Sequence, residues 1–155
     1  MTGLVAATRP TDWNFPLFVH VFGAMVLVGG LLAGASIITY ARGDVRSLRL
    51  GYWTLLAVAL PGYIVMRLGA QWIYSKEPYS DLPKGVDDPA WIGIGFIVAD
   101  GGALLVLIAL IVGGIGMRRL SGGGGQGLLK AAMVIAWLVL AAALVAVWAM
   151  AGKPN

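Results

Sequence analysis

Four long apolar stretches constrain the fold of this chain more than any other feature of its sequence. An α-helix needs about 20 predominantly apolar residues to cross the hydrocarbon core of a bilayer. The four stretches are residues 15–40, 50–74, 91–117 and 128–150. Each is apolar on nearly all sides, which excludes the one-sided pattern of a helix in a soluble domain. The sequence therefore predicts an all-α, integral membrane four-helix bundle in which residues 1–155 form a single transmembrane domain.

Composition excludes several classes of function. The chain is 59% hydrophobic and only 12% charged, so it has too few charged side chains to cover a soluble surface. This excludes a water-soluble enzyme, a disordered segment and a free nucleic-acid-binding module. With no cysteine and a single histidine, thiolate sites and metal sites built from several histidines are excluded as well. No nucleophile–base pair or carboxylate dyad stands out, so we expect no catalytic residues and no enzyme activity from the chain alone.

The basic residues predict an orientation in the membrane. The connections between spans one and two and between spans three and four are the more basic, and they carry Arg42, Arg46, Arg49, Arg118, Arg119 and Lys130. Lysine and arginine accumulate in short cytoplasmic loops. We therefore expect both termini and the loop of residues 75–90 to lie outside, in a multi-pass protein of a bacterial inner (cytoplasmic) membrane.

Small residues and one proline suggest how the spans pack. Glycines recur in spans one and three, at Gly23, Gly30, Gly34, Gly93, Gly95, Gly101, Gly102, Gly113, Gly114 and Gly116. Such residues let helix backbones approach closely, so they indicate packing within one bundle, an oligomer interface or room for a flat cofactor. Pro61-Gly62 predicts a kink in span two. Span four has almost no polar side chain, so it covers the bundle or docks against another membrane subunit.

Three ionisable side chains lie within the spans, at His20, Arg67 and Asp100. A lone charge in the bilayer centre costs about 2.5–3.5 kcal/mol, so we expect Arg67 and Asp100 to form a buried ion pair. Steps of four, four and three also predict a polar stripe facing the bundle interior, formed by Tyr63, Arg67, Gln71 and Tyr74. Two interpretations stay open. The pair neutralises itself and fixes the packing of the helices, or the cluster lines an outward-facing polar site for an ion, a proton or an anionic group.

His20 also has two interpretations. Near a membrane interface, a histidine can serve packing through a hydrogen bond to a neighbouring helix. Alternatively, its imidazole can be an axial ligand of haem, with Met25 or Met66 as a sixth ligand and Arg67 near a propionate. A single histidine excludes a di-haem centre with paired histidine ligands.

The run Phe18-Val19-His20-Val21-Phe22-Gly23, continuing to Gly29-Gly30, resembles the first helix of small bacterial membrane proteins related to copper-resistance D-type proteins and membrane protoporphyrinogen oxidases. In those families a histidine near the start of a helix, followed by small residues, is implicated in haem binding. The resemblance implies that His20 binds haem b. It does not imply an oxidase activity.

Three functions remain open at this point. The first is a small integral subunit of a larger membrane complex, haem-binding and respiratory, with a role in electron transport. The second is an ion- or proton-coupled transporter or channel that uses Arg67 and Asp100. The third is a structural membrane protein without a ligand. The lipid bilayer is a partner in all three, and nucleic acid is a partner in none.

Overall fold

A computed structural model describes residues 11–76 and 90–152, and these residues are almost entirely helical. The four long helices are α1 (Asn14–Tyr40), α2 (Val45–Tyr74), α3 (Ala90–Arg119) and α4 (Gln126–Gly152). Each is long and apolar enough to cross a membrane, which confirms the prediction of an all-α, multi-pass membrane protein. Most of the predicted loop at residues 75–90 lies outside the described residues.

Two helices begin earlier than the hydropathy pattern predicted. α2 begins at Val45 rather than at residue 50, because Asp44 caps its amino terminus. The Asp44 carboxylate accepts hydrogen bonds from the backbone N–H and the hydroxyl of Ser47, at 2.8 and 2.6 Å, which satisfies a donor that the first helical turn leaves unpaired. Arg46 and Arg49 therefore lie within α2 rather than in a loop. α4 likewise begins at Gln126 rather than at residue 128.

The bundle consists of two antiparallel hairpins. α1 packs along α2, α3 packs along α4, and contacts between α1 and α4 join the two hairpins, whereas α2 and α3 approach each other at far fewer positions. The two ends of the bundle differ. The termini end holds the start of α1 and the end of α4. The arginine end holds Arg42, Arg46, Arg49, Arg118 and Arg119.

Glycines on both helices form the contact between α1 and α2. A Cβ atom on Gly62 would lie 2.5 Å from the backbone nitrogen of Leu27, and one on Gly30 would lie 2.7 Å from the backbone nitrogen of Ala59. Because backbone atoms cannot move aside easily, only glycine allows this spacing. Gly23, Gly30 and Gly34 of α1 are thus used inside the bundle, whereas Gly29 has open space around it. In α3, Gly101 also has open space around it.

Pro61 is preceded by a π-helical turn, Leu55–Ala59. The backbone N–H of Leu60 donates to the carbonyl of Leu55, which is one residue further back than in an α-helix. Proline lacks an N–H and its ring clashes with the carbonyl four residues earlier. At the position where the sequence predicted a kink, the structure therefore shows a wide turn, a feature often found at functional sites.

Apolar side chains fill the middle of the bundle and its arginine end. Leu31, Leu48 and Leu129 are almost fully buried there. The hydroxyl of Tyr52 donates to the carbonyl of Leu110 at 3.1 Å, which satisfies the polar end of a buried side chain. The arginine half is a closed core, and the interior space of the bundle lies at the other end.

Candidate ligand-binding cavity

A cavity of about 410 Å³ lies at the termini end, between all four helices. Its volume falls in the range of about 300–1,000 Å³ typical of sites for small molecules and cofactors. The lining reaches no further than Val28 in α1 and Val139 in α4, and beyond these residues the core of Leu31 and Leu129 begins. The cavity is therefore blind toward the arginine end of the bundle.

Most of the cavity wall is apolar, and its polar groups are few. Apart from the ring N–H groups of Trp13 and Trp91, they are His20, Tyr63, Arg67 and Tyr74 of α1 and α2. α3 and α4 supply mainly apolar residues, several of them small, such as Gly102, Ala143 and Ala146. A mostly apolar wall with a few convergent polar groups is typical of a site that orients a small amphipathic molecule.

His20 is held in one orientation by α2. Its Nδ1 atom lies 2.9 Å from the carbonyl oxygen of Met66. A carbonyl can only accept, so Nδ1 carries the hydrogen and donates it, and Nε2 is left as an acceptor. Histidines that bind metals commonly donate their second ring N–H to a backbone carbonyl in this way. The contact therefore suits both a packing role and a ligand role for His20.

Arg67 connects α2 to α3 beside the cavity. One guanidinium nitrogen, Nη2, lies 3.0 Å from Oδ1 of Asp100, and Nη1 donates to Oε1 of Gln71 at 3.3 Å. The guanidinium carbon also lies 5.4 Å from the centre of the Phe96 ring, a cation–π distance. The predicted pairing of Arg67 with Asp100 is thus confirmed.

The prediction that this pair is buried is wrong. The Asp100 side chain is 65% exposed and the Arg67 side chain 28% exposed. Asp100 lies on the flank of α3, outside the cavity lining, and the long side chain of Arg67 reaches across to it. Beside the pair, the Tyr63 hydroxyl donates to the carbonyl of Ala99 at 3.0 Å. Both contacts bridge α2 and α3 where the backbones of these helices lie far apart.

The structure brings together some of the predicted site residues and separates others. Tyr63, Arg67 and Tyr74 of the predicted stripe line the cavity, whereas Gln71 is exposed and lies outside the lining. Met66 lines the cavity, but Met25 is 69% exposed and does not.

The contribution of α4 to the cavity was not predicted from the sequence. Ala143 and Ala146, one turn apart, leave the space that larger side chains would fill. Their small size was the available signal. Within residues 11–76 and 90–152, no three His, Cys, Asp or Glu side chains come together as a metal site.

An ion pair at the rim joins the start of the chain to the end of α2. Lys76 donates to Oδ2 of Asp12 at 2.8 Å, and this hydrogen bond holds the pKa of the exposed Asp12 carboxyl below its usual value. Nearby, Phe15 and Trp72 meet edge to face with ring centres 5.8 Å apart. These contacts join the two helices of the α1–α2 hairpin at the termini end, where the cavity lies.

No family model, curated protein or solved structure matches this chain. The proposal of a function therefore depends on the cavity and on the residues that line it.

Proposed function

We propose that this protein is a small integral membrane subunit that binds an amphipathic cofactor in the cavity at the termini end, and that the cofactor is haem b. The observation that carries the proposal is the combination of a blind apolar cavity with one histidine on its wall, whose Nδ1 atom is engaged and whose Nε2 atom is left as an acceptor. Haem is flat, apolar on its faces and anionic at its propionates. The cavity offers surfaces of the same kinds.

The residues on the wall divide into distinct roles toward haem. His20 would hold the iron through Nε2, and Arg67 would pair with a propionate carboxylate. Met66 is the candidate sixth ligand because it lines the cavity, whereas Met25 faces away from it. Bound haem would supply a one-electron redox centre, as in the respiratory role expected of a subunit. The exposed apolar face of α4, which includes Leu138 and Trp148, is available to lipid or to a partner subunit.

The closed core argues against the transporter interpretation. A transported ion must leave at the second side of the membrane, yet the space beneath the cavity is filled by Leu31, Leu48 and Leu129. Arg67 and Asp100 satisfy each other at the flank of α3 instead of lining a route through the bundle. A purely structural protein, for its part, would gain stability by filling the cavity, because interiors otherwise pack closely.

Visible spectroscopy tests the proposal. The protein, expressed with ample haem supply and purified in detergent, should show a Soret band. The variant His20→Asn should lose it, because an asparagine amide can still donate to the Met66 carbonyl but supplies no imidazole nitrogen. His20→Ala should lose the band as well. Met66→Leu should shift the band if Met66 is the sixth ligand.

Met25→Leu is the matched control, since it makes the same change at a methionine outside the cavity, and its spectrum should equal that of the wild type. Prepared without haem, the wild type and His20→Asn should unfold at similar temperatures, because bound haem would itself stabilise the wild type. A colourless wild-type protein, or a Soret band that survives in His20→Asn, would contradict the haem proposal.

A further inference from the structure

A second cleft lies at the arginine end, far from the cavity. It has a volume of about 310 Å³ and lies between the end of α1 and the beginning of α4. Arg42 and Gly43, in the turn after α1, form one side, and Gln126 and Lys130 of α4 form the other. Two cationic side chains from separate parts of the chain therefore border one small cleft.

Neither cation has a partner in the part of the chain that the structure describes. No side-chain hydrogen bond or ion pair of Arg42 or Lys130 occurs there. The nearest acid along the chain, Asp44, is already engaged, because its carboxylate accepts from the N–H and the hydroxyl of Ser47. The cleft therefore has an unbalanced positive charge, which suits an anionic group.

The backbone at Arg42 is unusual for an arginine. Its φ is +46°, and the following Gly43 has φ +90°. A residue in the left-handed region just after a helix is usually glycine or asparagine, because a larger side chain is strained there. Glycine at position 42 would end α1 with less strain. Strained residues of this kind concentrate at functional sites. The presence of arginine at this position therefore indicates that its side chain has a function.

An exposed, mainly apolar face of α4 continues from the cleft toward the middle of the bundle. Lys130, Val134 and Trp137 follow one another at steps of four and three on α4, and all three are exposed. The ring N–H of Trp137 donates to the Thr39 hydroxyl at 3.3 Å, which places this face of α4 against α1. A headgroup in the cleft would thus have its acyl chain beside Val134 and Trp137. A free anion would gain nothing from this apolar face.

We propose that the cleft bordered by Arg42 and Lys130 binds the headgroup phosphate of an anionic phospholipid, whose acyl chain lies along the exposed face of α4. Each cation near an anionic lipid headgroup contributes a factor of about five in affinity at room temperature. The two cations together should contribute about 25-fold.

Native mass spectrometry in a neutral detergent tests the proposal, with phosphatidylglycerol and phosphatidylcholine of identical acyl chains as the probes. The wild type should retain phosphatidylglycerol in preference, and the double variant Arg42→Gln/Lys130→Gln should bind it about 25-fold more weakly. The matched control is Arg46→Gln/Arg49→Gln, which removes the same charge from the same end but outside the cleft, and it should bind like the wild type.

Arg42→Gly separates the lipid role from a structural one. It should raise the unfolding temperature in lipid-free detergent, because it relieves the positive φ, and still weaken phosphatidylglycerol binding about fivefold. Equal binding of the two lipids, or an equal loss in the control variant, would overturn the proposal. Displacement of the lipid by millimolar inorganic phosphate would show a site for free anions and would also overturn it.

Discussion

A Cβ atom on Gly69 would lie 2.5 Å from the backbone nitrogen of His20. α2 thus passes close to α1 at the residue that contributes the imidazole to the cavity, and Gly69 leaves no room for a side chain there. The same approach places the carbonyl of Met66 within reach of the imidazole, at 2.9 Å. Glycine packing between the helices therefore sets the position of the residue proposed to bind the cofactor.

Gly69→Ala should destabilise the protein by about 1–3 kcal/mol, because the added methyl group meets backbone that cannot yield without moving a helix. The measurement is the free energy of unfolding in detergent. Gly101→Ala is the control, since a Cβ atom there has nothing within 4 Å. It should be neutral or stabilise by up to about 1 kcal/mol through helix propensity. Equal effects of the two substitutions would contradict the close approach at Gly69.

The exposed Arg67–Asp100 pair should contribute less than a fully buried pair. Removing one partner of a buried pair costs about 3–5 kcal/mol, whereas polar contacts between membrane helices average about 0.6 kcal/mol and reach about 1.7. With Asp100 65% exposed, we expect a coupling energy of about 1 kcal/mol. A double-mutant cycle with Arg67→Gln and Asp100→Asn measures it. Strictly additive single effects would show that the contact is not energetically significant.

Asp44 should make the stability of the protein depend on pH at low pH. The hydroxyl and backbone N–H of Ser47 lower the pKa of this carboxyl from its usual value of 3.8. A lowered pKa in the folded state means stability that is present above 3.8 and is lost as pH falls through the lowered pKa. Ser47→Ala removes the hydroxyl and should flatten this dependence. The measurement is the unfolding temperature of the wild type and of Ser47→Ala between about pH 6 and about pH 2, a range that covers the titration of carboxyl groups. Identical curves for the two proteins would contradict the role given to the Ser47 hydroxyl.

The bias of basic residues predicts that the arginine end faces the cytoplasm. The chain has no cysteine, so single cysteines can report the topology directly. Ser75 at the termini end and Ser121 at the arginine end are both exposed. In intact cells, a membrane-impermeant thiol reagent should label Ser75→Cys but label Ser121→Cys only after lysis. Labelling in the reverse order would invert the proposed orientation.

The four helices could be predicted from the sequence, because hydropathy is a property of consecutive residues. The cavity could not be predicted in this way. Its volume arises because α2 and α3 lie apart, which no local pattern encodes. The rotation of α3 about its own axis likewise decides that Asp100 faces outward, and that rotation depends on packing against α4. The early start of α2 was missed because Arg46 and Arg49 suggested a loop, although Asp44 followed by Ser47 is a helix-capping signal.

The π-helical turn at Leu55–Ala59 determines how α2 would respond to the deletion of a residue. One residue of an α-helix corresponds to a rotation of about 100°. Deleting a single residue within the turn would restore a regular α-helix and keep the two halves of α2 in nearly their present relative orientation, because the turn holds one extra residue. A regular α-helix without that deletion would instead rotate one half of α2 relative to the other by about 100°. Tyr52 and Arg67, which lie on opposite sides of the turn, could then no longer both keep their present partners. The wide turn therefore sets the rotation of one half of α2 relative to the other. This rotation lets a single helix pack into a closed core at one end and line a cavity at the other.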